Sequence, residues 1–288
     1  MSLRTASIPS PGTGDLDLGP LTVHMYGLTL LVAIVAAVAI TGVRWTRRGG
    51  DWDLIMRVAL WGVGGGIVGA RAYHVVTSWN QVPDEWWGVF AVWKGGLGIW
   101  GGILGGVLAG AVVVRRDGES VRAMLDAVAP GLLVAQAIGR FGNWWNQELF
   151  GEPSELPWAL RIDPENRPAA YTDDATFHPT FLYESLYCLA VAGVLLLVDR
   201  RFRLRPPALF ALYVALYTAG RFFLELLRVD PSHEWAGLRL NAWVSLVVFA
   251  AATTFFVWWQ FVRRGPTPEA RAEPRAMSIP RGRVRSSR

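Results

Sequence analysis

A run of glycines and polar residues directly follows a hydrophobic segment near the middle of the chain. Residues 139–151 read Gly-Arg-Phe-Gly-Asn-Trp-Trp-Asn-Gln-Glu-Leu-Phe-Gly. An arginine at the centre of a membrane helix costs about 2.5–3.5 kcal/mol on insertion scales, so it is kept mainly where it has a function. The planar guanidinium of Arg140 suits a phosphate, and Asn143 and Asn146 add neutral donors. Glu148 can orient the arginine or move a proton. These residue types predict a site for a charged lipid head group.

A second set of charges lies near the end of another hydrophobic segment. Arg221 and Glu225 are one helical turn apart, and Arg228 follows about one turn later. A buried Arg–Glu pair can simply neutralise itself. The additional arginine leaves this set net positive, as a second phosphate clamp requires.

Two shorter motifs open other hydrophobic segments. Residues 24–27 read His-Met-Tyr-Gly, and residues 178–184 read His-Pro-Thr-Phe-Leu-Tyr-Glu. His24 either exchanges protons or forms a structural hydrogen bond. Tyr26 is either an anchor at the membrane interface or a residue of the site. We expect Glu184 to hold helices together rather than to react.

Glycines are concentrated in two of the hydrophobic segments. Residues 64–69 match the dinucleotide pattern G-x-G-x-x-G, but they lie inside a hydrophobic run and lack the strand that this fingerprint requires. Residues 95–102 hold five glycines, which predicts a tight turn or a broken helix whose free backbone N–H groups could bind an anion. Close helix packing is predicted for Gly62, Gly66 and Gly69 on one helix and for Gly102, Gly106 and Gly110 on the next.

The composition indicates a membrane protein. The chain has 288 residues, of which 52% are hydrophobic and 15 are Trp. About 20 apolar residues in a helix cross the hydrocarbon core of a bilayer. The sequence therefore predicts an all-α polytopic membrane protein with about seven transmembrane helices. The predicted runs cover residues 24–43, 54–76, 97–114, 121–139, 180–198, 207–227 and 241–262.

The distribution of arginine predicts the orientation of these helices. Arginines cluster at residues 44–57, 115–122 and 200–205 and from 263 onward, whereas the other connections are poor in basic residues. By the positive-inside rule, the N-terminus lies outside and the C-terminus inside, with an extracytoplasmic segment between spans four and five. The predicted parts are an extracytoplasmic segment 1–23, a seven-span membrane domain 24–262 and a disordered basic cytoplasmic tail 263–288.

The net charge and the numbers of cysteines and histidines disfavour nucleic-acid binding, disulfide bonding and metal binding. The net charge of +5 comes from residues at helix ends and in the tail, so we expect contact with anionic lipid rather than with nucleic acid. Cys188 is the single cysteine, which excludes a disulfide within the chain. The four histidines show no spacing typical of a metal site. We therefore expect neither a metal nor a cofactor.

Taken together, the motifs resemble those of the prolipoprotein diacylglyceryl transferase family over about residues 19–262. The strongest element is Gly-Arg-x-Gly-Asn-x-x-Asn-x-Glu at residues 139–148, followed by Gly151 and by Leu-Pro-Trp at 156–158. The supporting elements, in the order expected for the family, are residues 24–27, 95–97, 178–184 and 220–228.

The resemblance implies an enzyme of the bacterial plasma membrane with its site toward the extracytoplasmic face. Such an enzyme moves the diacylglyceryl group of phosphatidylglycerol onto the thiol of the lipobox cysteine in a secreted prolipoprotein, forming a thioether and releasing glycerol phosphate. The protein substrate supplies the thiol, so the enzyme needs no nucleophilic cysteine of its own. The implied catalytic residues are Arg140, Arg221, Glu148, Tyr26 and His24. The implied head-group residues are Arg140, Asn143, Asn146, Gly151, Glu225 and Arg228.

The chain departs from the family pattern at one position. Trp100 stands where the family often has a histidine, and an indole cannot accept a proton. The acceptor of the thiol proton is then Glu148 or His24, with nearby arginines raising the thiolate fraction. Two other functions remain open: a transporter or scramblase for anionic lipid, and an inactive relative that binds prolipoproteins.

Overall fold

The computed structural model describes residues 7–19 and 21–263. Within them, seven helices are long and apolar enough to cross a membrane, which confirms the predicted fold class of a multi-pass helical membrane protein. The predicted orientation stays a prediction, and the predicted tail lies outside the described residues from residue 264 onward. The helices are α1 (Met25–Thr46), α2 (Trp52–Thr77), α3 (Ile99–Arg116), α4 (Val121–Trp145), α5 (Thr180–Arg201), α6 (Ala208–Leu227) and α7 (Leu240–Val257), which continues as a π-helical turn, Trp258–Val262.

The fourth helix is longer than the hydrophobic run that predicted it. The run ends at residue 139, whereas α4 continues to Trp145. Arg140 and Asn143 therefore lie on the last turns of a helix and share one face, as their spacing predicts. Ser120 caps the other end of α4 by accepting the N–H of Ala123 at 3.3 Å.

Helices α4, α5 and α6 form the best-buried part of the bundle. Leu133 and Ala137 of α4, Cys188 and Leu195 of α5, and Leu209 of α6 belong to one buried cluster. Helix α1 packs along α4, α2 along α3, and α7 along α6. The outer helices leave broad apolar faces exposed, as expected of surfaces that face lipid.

A proline inside α4 is compensated from α1. Pro130 has no N–H, so the carbonyl of Asp126 lacks its usual helical donor. Arg44 donates to this carbonyl and to that of Ala127, both at 3.0 Å. The Asp126 carboxylate in turn accepts the N–H of Phe210 in the first turn of α6 at 2.8 Å. These contacts tie α1, α4 and α6 together at the end of the bundle opposite Arg140.

The predicted glycine packing between α2 and α3 is confirmed. A Cβ at Gly66 would lie 3.5 Å from the carbonyl oxygen of Gly102, and one at Gly69 would lie 3.0 Å from the Cα of Gly105. The approach is closest at Gly65 and Gly69, where a Cβ would collide with backbone or side-chain atoms of α3. Only helices without side chains at these positions can approach so closely.

The glycine block before α3 begins as a tight turn, as predicted. Gly95 and Gly96 have φ values of 84° and 71°, which favour glycine. Their carbonyls accept hydrogen bonds from Arg71 Nη1 at 2.8 and 3.1 Å. Arg71 of α2 is 6% exposed and also donates to the carbonyls of Gly88 and Val89. This buried guanidinium therefore fixes the connection between α2 and α3.

The sequence did not predict three short antiparallel hairpins that lie where α4 ends and α1, α5 and α7 begin. Their strands pair β1 (Asp15–Leu18) with β2 (Leu21–His24), β3 (Leu160–Arg161) with β4 (Thr176–Phe177), and β5 (Glu234–Trp235) with β6 (Leu238–Arg239). Leu160 and Phe177 of the middle pair of strands belong to a second buried cluster, together with Phe150, Ile162 and Phe181. This layer covers the polar end of the bundle.

Replacing Gly69 with alanine should lower the stability of the protein, whereas replacing Gly64 with alanine should not. At Gly69 the new Cβ meets the backbone of α3, and overpacking of this kind costs about 1–3 kcal/mol. At Gly64 a Cβ has no neighbour within 4 Å, so the better helix propensity of alanine, worth about 1 kcal/mol, is expressed. Thermal unfolding in detergent should show a lower midpoint for G69A and an equal or higher midpoint for G64A. A thermal midpoint of G69A equal to that of the parent would contradict the role of Gly69 in packing α2 against α3.

Candidate active site

A buried carboxylate lies at the centre of the polar end of the bundle. Glu184 of α5 has a side chain that is 4% exposed. Its Oε1 lies 2.7 Å from Arg140 Nη2 of α4, and its Oε2 lies 3.1 Å from Arg221 Nη1 of α6. The hydroxyl of Tyr217 donates to Oε1 at 3.2 Å. Two guanidiniums and a phenol thus compensate the burial of this charge, and the expectation that Glu184 holds helices together is confirmed.

A second carboxylate continues the network along α6. The side chain of Glu225 is fully buried. Its Oε2 lies 2.5 Å from Arg221 Nη2 and 3.4 Å from Arg228 Nη1. Its Oε1 lies 2.9 Å from Arg239 Nε and accepts a hydrogen bond from Asn241 Nδ2 at 3.3 Å. Glu225 therefore joins α6 to the first turn of α7.

Asp230 completes the network just beyond α6. Its two oxygens accept from Arg228 Nε at 2.7 Å and Nη2 at 2.8 Å, and Arg239 Nη2 lies 2.9 Å from Oδ2. Burial alone would raise the pKa of Asp230, but the hydrogen bonds and positive charges of Arg228 and Arg239 outweigh burial and lower it. The carboxylate is therefore ionised at neutral pH.

The network carries one surplus positive charge. Four guanidinium groups and three carboxylates are linked in it, so one positive charge has no carboxylate to neutralise it. We call this set the charge network. Its members are Arg140, Arg221, Arg228, Arg239, Glu184, Glu225 and Asp230.

A narrow pocket opens onto the charge network. Arg140, Arg221 and Arg228 contribute its positive wall, and Asn143 adds a neutral polar group. Phe181 and Leu224 contribute apolar surface. The carboxylate of Glu184 also lines this pocket, so the guanidiniums lie between a buried carboxylate and apolar side chains, where they can donate to an anion.

The asparagines predicted for the site are oriented by Glu148. Arg140 Nη1 donates to Asn143 Oδ1 at 3.3 Å, and Asn143 Nδ2 donates to Glu148 Oε1 at 2.8 Å. Asn146 Nδ2 reaches the same oxygen at 3.4 Å. Glu148 is exposed, so its charge is solvated rather than part of the buried balance. It therefore reaches Arg140 through an amide and not by direct contact.

The turn after α4 is held in an unusual backbone conformation. Gln147 and Leu149 have φ values of 50° and 59°, which residues other than glycine rarely adopt. Gln147 Nε2 donates to Asp163 Oδ2 at 2.6 Å, and its Oε1 accepts the N–H of Asp163 at 2.8 Å. Thr180 Oγ1 donates to the carbonyl of Leu149 at 2.5 Å. These bonds offset the strain and fix Glu148 between the two residues.

Gly151 brings the start of α5 against the end of α6. A Cβ there would lie 2.8 Å from His178 Cβ and 2.9 Å from the carbonyl oxygen of Leu227. Its N–H donates to the carbonyl of His178 at 3.0 Å. The contacts are those of a packing residue, and head-group binding by Gly151 stays a prediction.

His24 and Tyr26 lie at the edge of the site. His24 belongs to β2, has a side chain that is 71% exposed and places Nδ1 2.6 Å from Asp15 Oδ1. Tyr26 lies on the first turn of α1, with its ring against Gly142, whose added Cβ would be 2.7 Å from Tyr26 Cδ2. Neither residue lines the pocket on the charge network. The structure therefore groups Arg140, Asn143, Arg221, Glu225 and Arg228 but leaves His24 apart.

Comparison with known proteins gives one consistent family. The family model described as prolipoprotein diacylglyceryl transferase matches residues 15–258. A protein of Frankia alni is 48% identical over 97% of this chain and 74% of its own length. One of Cutibacterium acnes is 49% identical over 87% of this chain and 86% of its own length. Both relatives are named phosphatidylglycerol–prolipoprotein diacylglyceryl transferase.

The chain belongs to the prolipoprotein diacylglyceryl transferase family. The family resemblance read from the motifs is thereby confirmed, and the protein is a transferase. Trp100 lies in the first turn of α3 and is 56% exposed.

Several residues of the charge network are not predicted from the sequence. Glu184 was assigned only to helix packing, although it contacts the two central arginines. Arg239 and Asp230 were not singled out, because no helical spacing connects them to Arg228. The signal available in the sequence was the position of Arg239 immediately before the apolar run of α7. A charged residue at that position needs a partner or water.

Acid should selectively remove the stabilisation that Asp230 contributes. Its pKa in the folded protein is below the ordinary value of 3.8, so this stabilisation is complete above about pH 5 and is lost as the pH falls through the folded-state pKa. The difference in thermal midpoint between the parent and D230N should therefore narrow from about pH 5 to about pH 3. D173N, which changes an exposed aspartate, controls for charge removal alone. A difference in thermal midpoint between the parent and D230N that stays constant from about pH 5 to about pH 3 would contradict the stabilising role of the Asp230 carboxylate.

Proposed function

We propose that this protein transfers the diacylglyceryl group of phosphatidylglycerol to the cysteine thiol of a prolipoprotein. The product is a thioether, and glycerol phosphate is released, as the first step of lipoprotein maturation. The observation that carries the proposal is the pocket on the surplus charge of the charge network. The names of the relatives supply both substrates. The lipobox as the feature that selects the cysteine is part of the proposal.

The arginines would act on the leaving group. In the reaction, the thiol sulfur bonds to the glycerol carbon of the diacylglyceryl group while the bond from this carbon to the phosphate oxygen breaks. The electron pair of the broken bond goes to the phosphate oxygen, so the negative charge of the phosphate rises from one toward two. Arg140 and Arg221 are already held in place by Glu184, so they stabilise this added charge without reorganising. Their interaction is stronger in the transition state than in the ground state.

Glu148 would accept the thiol proton. It is exposed at the mouth of the site and bonded to Asn143, which lines the pocket. His24 is engaged with Asp15 outside the pocket, and Trp100 has no basic atom. A free cysteine has a pKa near 8.5, so a base or a positive field must raise the thiolate fraction at neutral pH. Asn146 and Tyr26 would help to shape the entrance, and Gly151 would keep its backbone close to the head group.

The protein would lie in the bacterial plasma membrane with this site toward the extracytoplasmic face. The arginine-rich connections are at the end of the bundle opposite the charge network, which supports this orientation. Residues 1–23 would then be extracytoplasmic and residues 263–288 cytoplasmic. The seven-span part between them would carry the whole catalytic site.

Transfer is favoured over transport of anionic lipid. The charge network lies at one end of the described bundle, whereas a transporter needs polar groups that lead to both faces. Retention of Arg140, Arg221 and Glu148 also favours an active enzyme over an inactive prolipoprotein-binding relative. An active enzyme is compatible with Trp100 if Glu148, rather than the residue at position 100, accepts the thiol proton.

Replacing Arg140 with alanine should abolish the transfer. Incubation of the purified protein with phosphatidylglycerol and a Leu-x-x-Cys peptide should add one diacylglyceryl mass to the peptide cysteine. Removal of one preorganised charged donor typically lowers turnover by about 100-fold or more, so R140A and R221A should be nearly inactive. H24A should keep most of its activity, because His24 lies outside the pocket.

The matched control for these variants is R57A. Arg57 pairs with Asp117 at the opposite end of the bundle, so its loss should leave the transfer unchanged. Activity of R140A equal to the parent, at matched amounts of folded protein, would remove the proposed role of the arginines. No mass increase from folded parent protein supplied with both substrates would refute the transferase itself.

A further inference from the structure

Arg239 touches three members of the charge network without lining the pocket. It is the last residue of β6, directly before α7, and its side chain is 10% exposed. Nε lies 2.9 Å from Glu225 Oε1, and Nη2 lies 2.9 Å from Asp230 Oδ2. Nη1 donates to the backbone carbonyl of Arg228 at 2.6 Å. Nη1 and Nη2 thus donate to groups that hold the pocket arginines, and Nε lies beside Glu225 without forming a hydrogen bond.

The charge balance of the network depends on this residue. Without Arg239, three guanidiniums would face three carboxylates, and the surplus positive charge would be gone. Glu225 is fully buried, so it would draw more strongly on Arg221 and Arg228. Both of these arginines line the pocket, and both would then be less available to an incoming anion.

We propose that Arg239 is a positioning residue that offsets the negative charges of Glu225 and Asp230, leaves the pocket arginines with one surplus positive charge and so selects a phospholipid with a singly negative head group over a zwitterionic one. This inference rests on the proposed function and specifies which donor lipid the site accepts. Arg239 acts through Glu225 and Arg228, since it does not itself line the pocket.

Three variants separate charge from packing. R239Q removes the charge, R239K keeps it, and the double variant D230N/R239Q restores the surplus because three guanidiniums then face two carboxylates. The KM for dioctanoyl phosphatidylglycerol in detergent micelles should rise about tenfold in R239Q, with a smaller change in kcat. R239K and D230N/R239Q should stay within about threefold of the parent KM.

Lipid binding is measured separately from turnover. Native mass spectrometry of the delipidated parent, R239Q and D230N/R239Q compares dioctanoyl phosphatidylglycerol with dioctanoyl phosphatidylcholine. The parent and the double variant should prefer the anionic lipid, and R239Q should lose most of this preference. This comparison decides the role of Arg239 even if the parent transfers no diacylglyceryl group, a result that would refute only the proposed function.

Three results would overturn the inference. One is an unchanged KM and lipid preference in folded R239Q. Another is a double variant whose KM and lipid preference are as impaired as those of R239Q. Equally lowered thermal midpoints in R239Q, R239K and the double variant would also overturn it. In both of these cases Arg239 would serve only the packing of α7 against α6. Recovery in the double variant supports the inference, since a purely structural arginine would not be rescued by removal of a neighbouring carboxylate.

Discussion

The pairing of Glu184 with Arg140 and Arg221 is the constraint on which the rest of this structure depends. These residues come from α5, α4 and α6, and the carboxylate between them is almost fully buried. A buried carboxylate left without partners is strongly destabilising, so the three helices must meet where all three side chains reach one another. The same contacts hold both guanidiniums at the pocket wall. Helix packing and preorganisation of the site thus share one interaction.

The other charged residues of the network compensate buried carboxylates in the same way between α6 and α7. Glu225 and Asp230 face Arg221, Arg228 and Arg239, so every carboxylate in the network has at least two cationic neighbours. The guanidiniums exceed the carboxylates by one, so the network as a whole is positive. Under the proposed function, this surplus would attract an anionic lipid and would stabilise its phosphate as the negative charge of the phosphate rises. Stability and electrostatic complementarity are therefore set by the same side chains.

The surrounding scaffold keeps this polar layer in register. Glycines let α2 approach α3, and Arg71 fixes the connection between them through four backbone carbonyls. At the end of α4, the side chain of Gln147 anchors a turn that includes two left-handed residues. The turn places Glu148 beside Asn143 and Asn146. Two residues with left-handed backbone thus lie in the turn beside the pocket, where hydrogen bonds offset their strain.

The sequence by itself determined the helices, the family and most of the charged residues at the pocket. Apolar runs near 20 residues long can satisfy their backbone in a bilayer only as helices, so their number and approximate bounds follow from hydropathy. Spacing within one helix also placed Arg140 beside Asn143 and Arg221 beside Glu225, because helical neighbours recur every three or four residues. The tertiary structure alone decided which helices Glu184 joins, that Arg239 reaches Glu225, and that His24 lies apart from the pocket. Those relations link distant segments, and no local periodicity encodes which helices meet or which charges compensate one another.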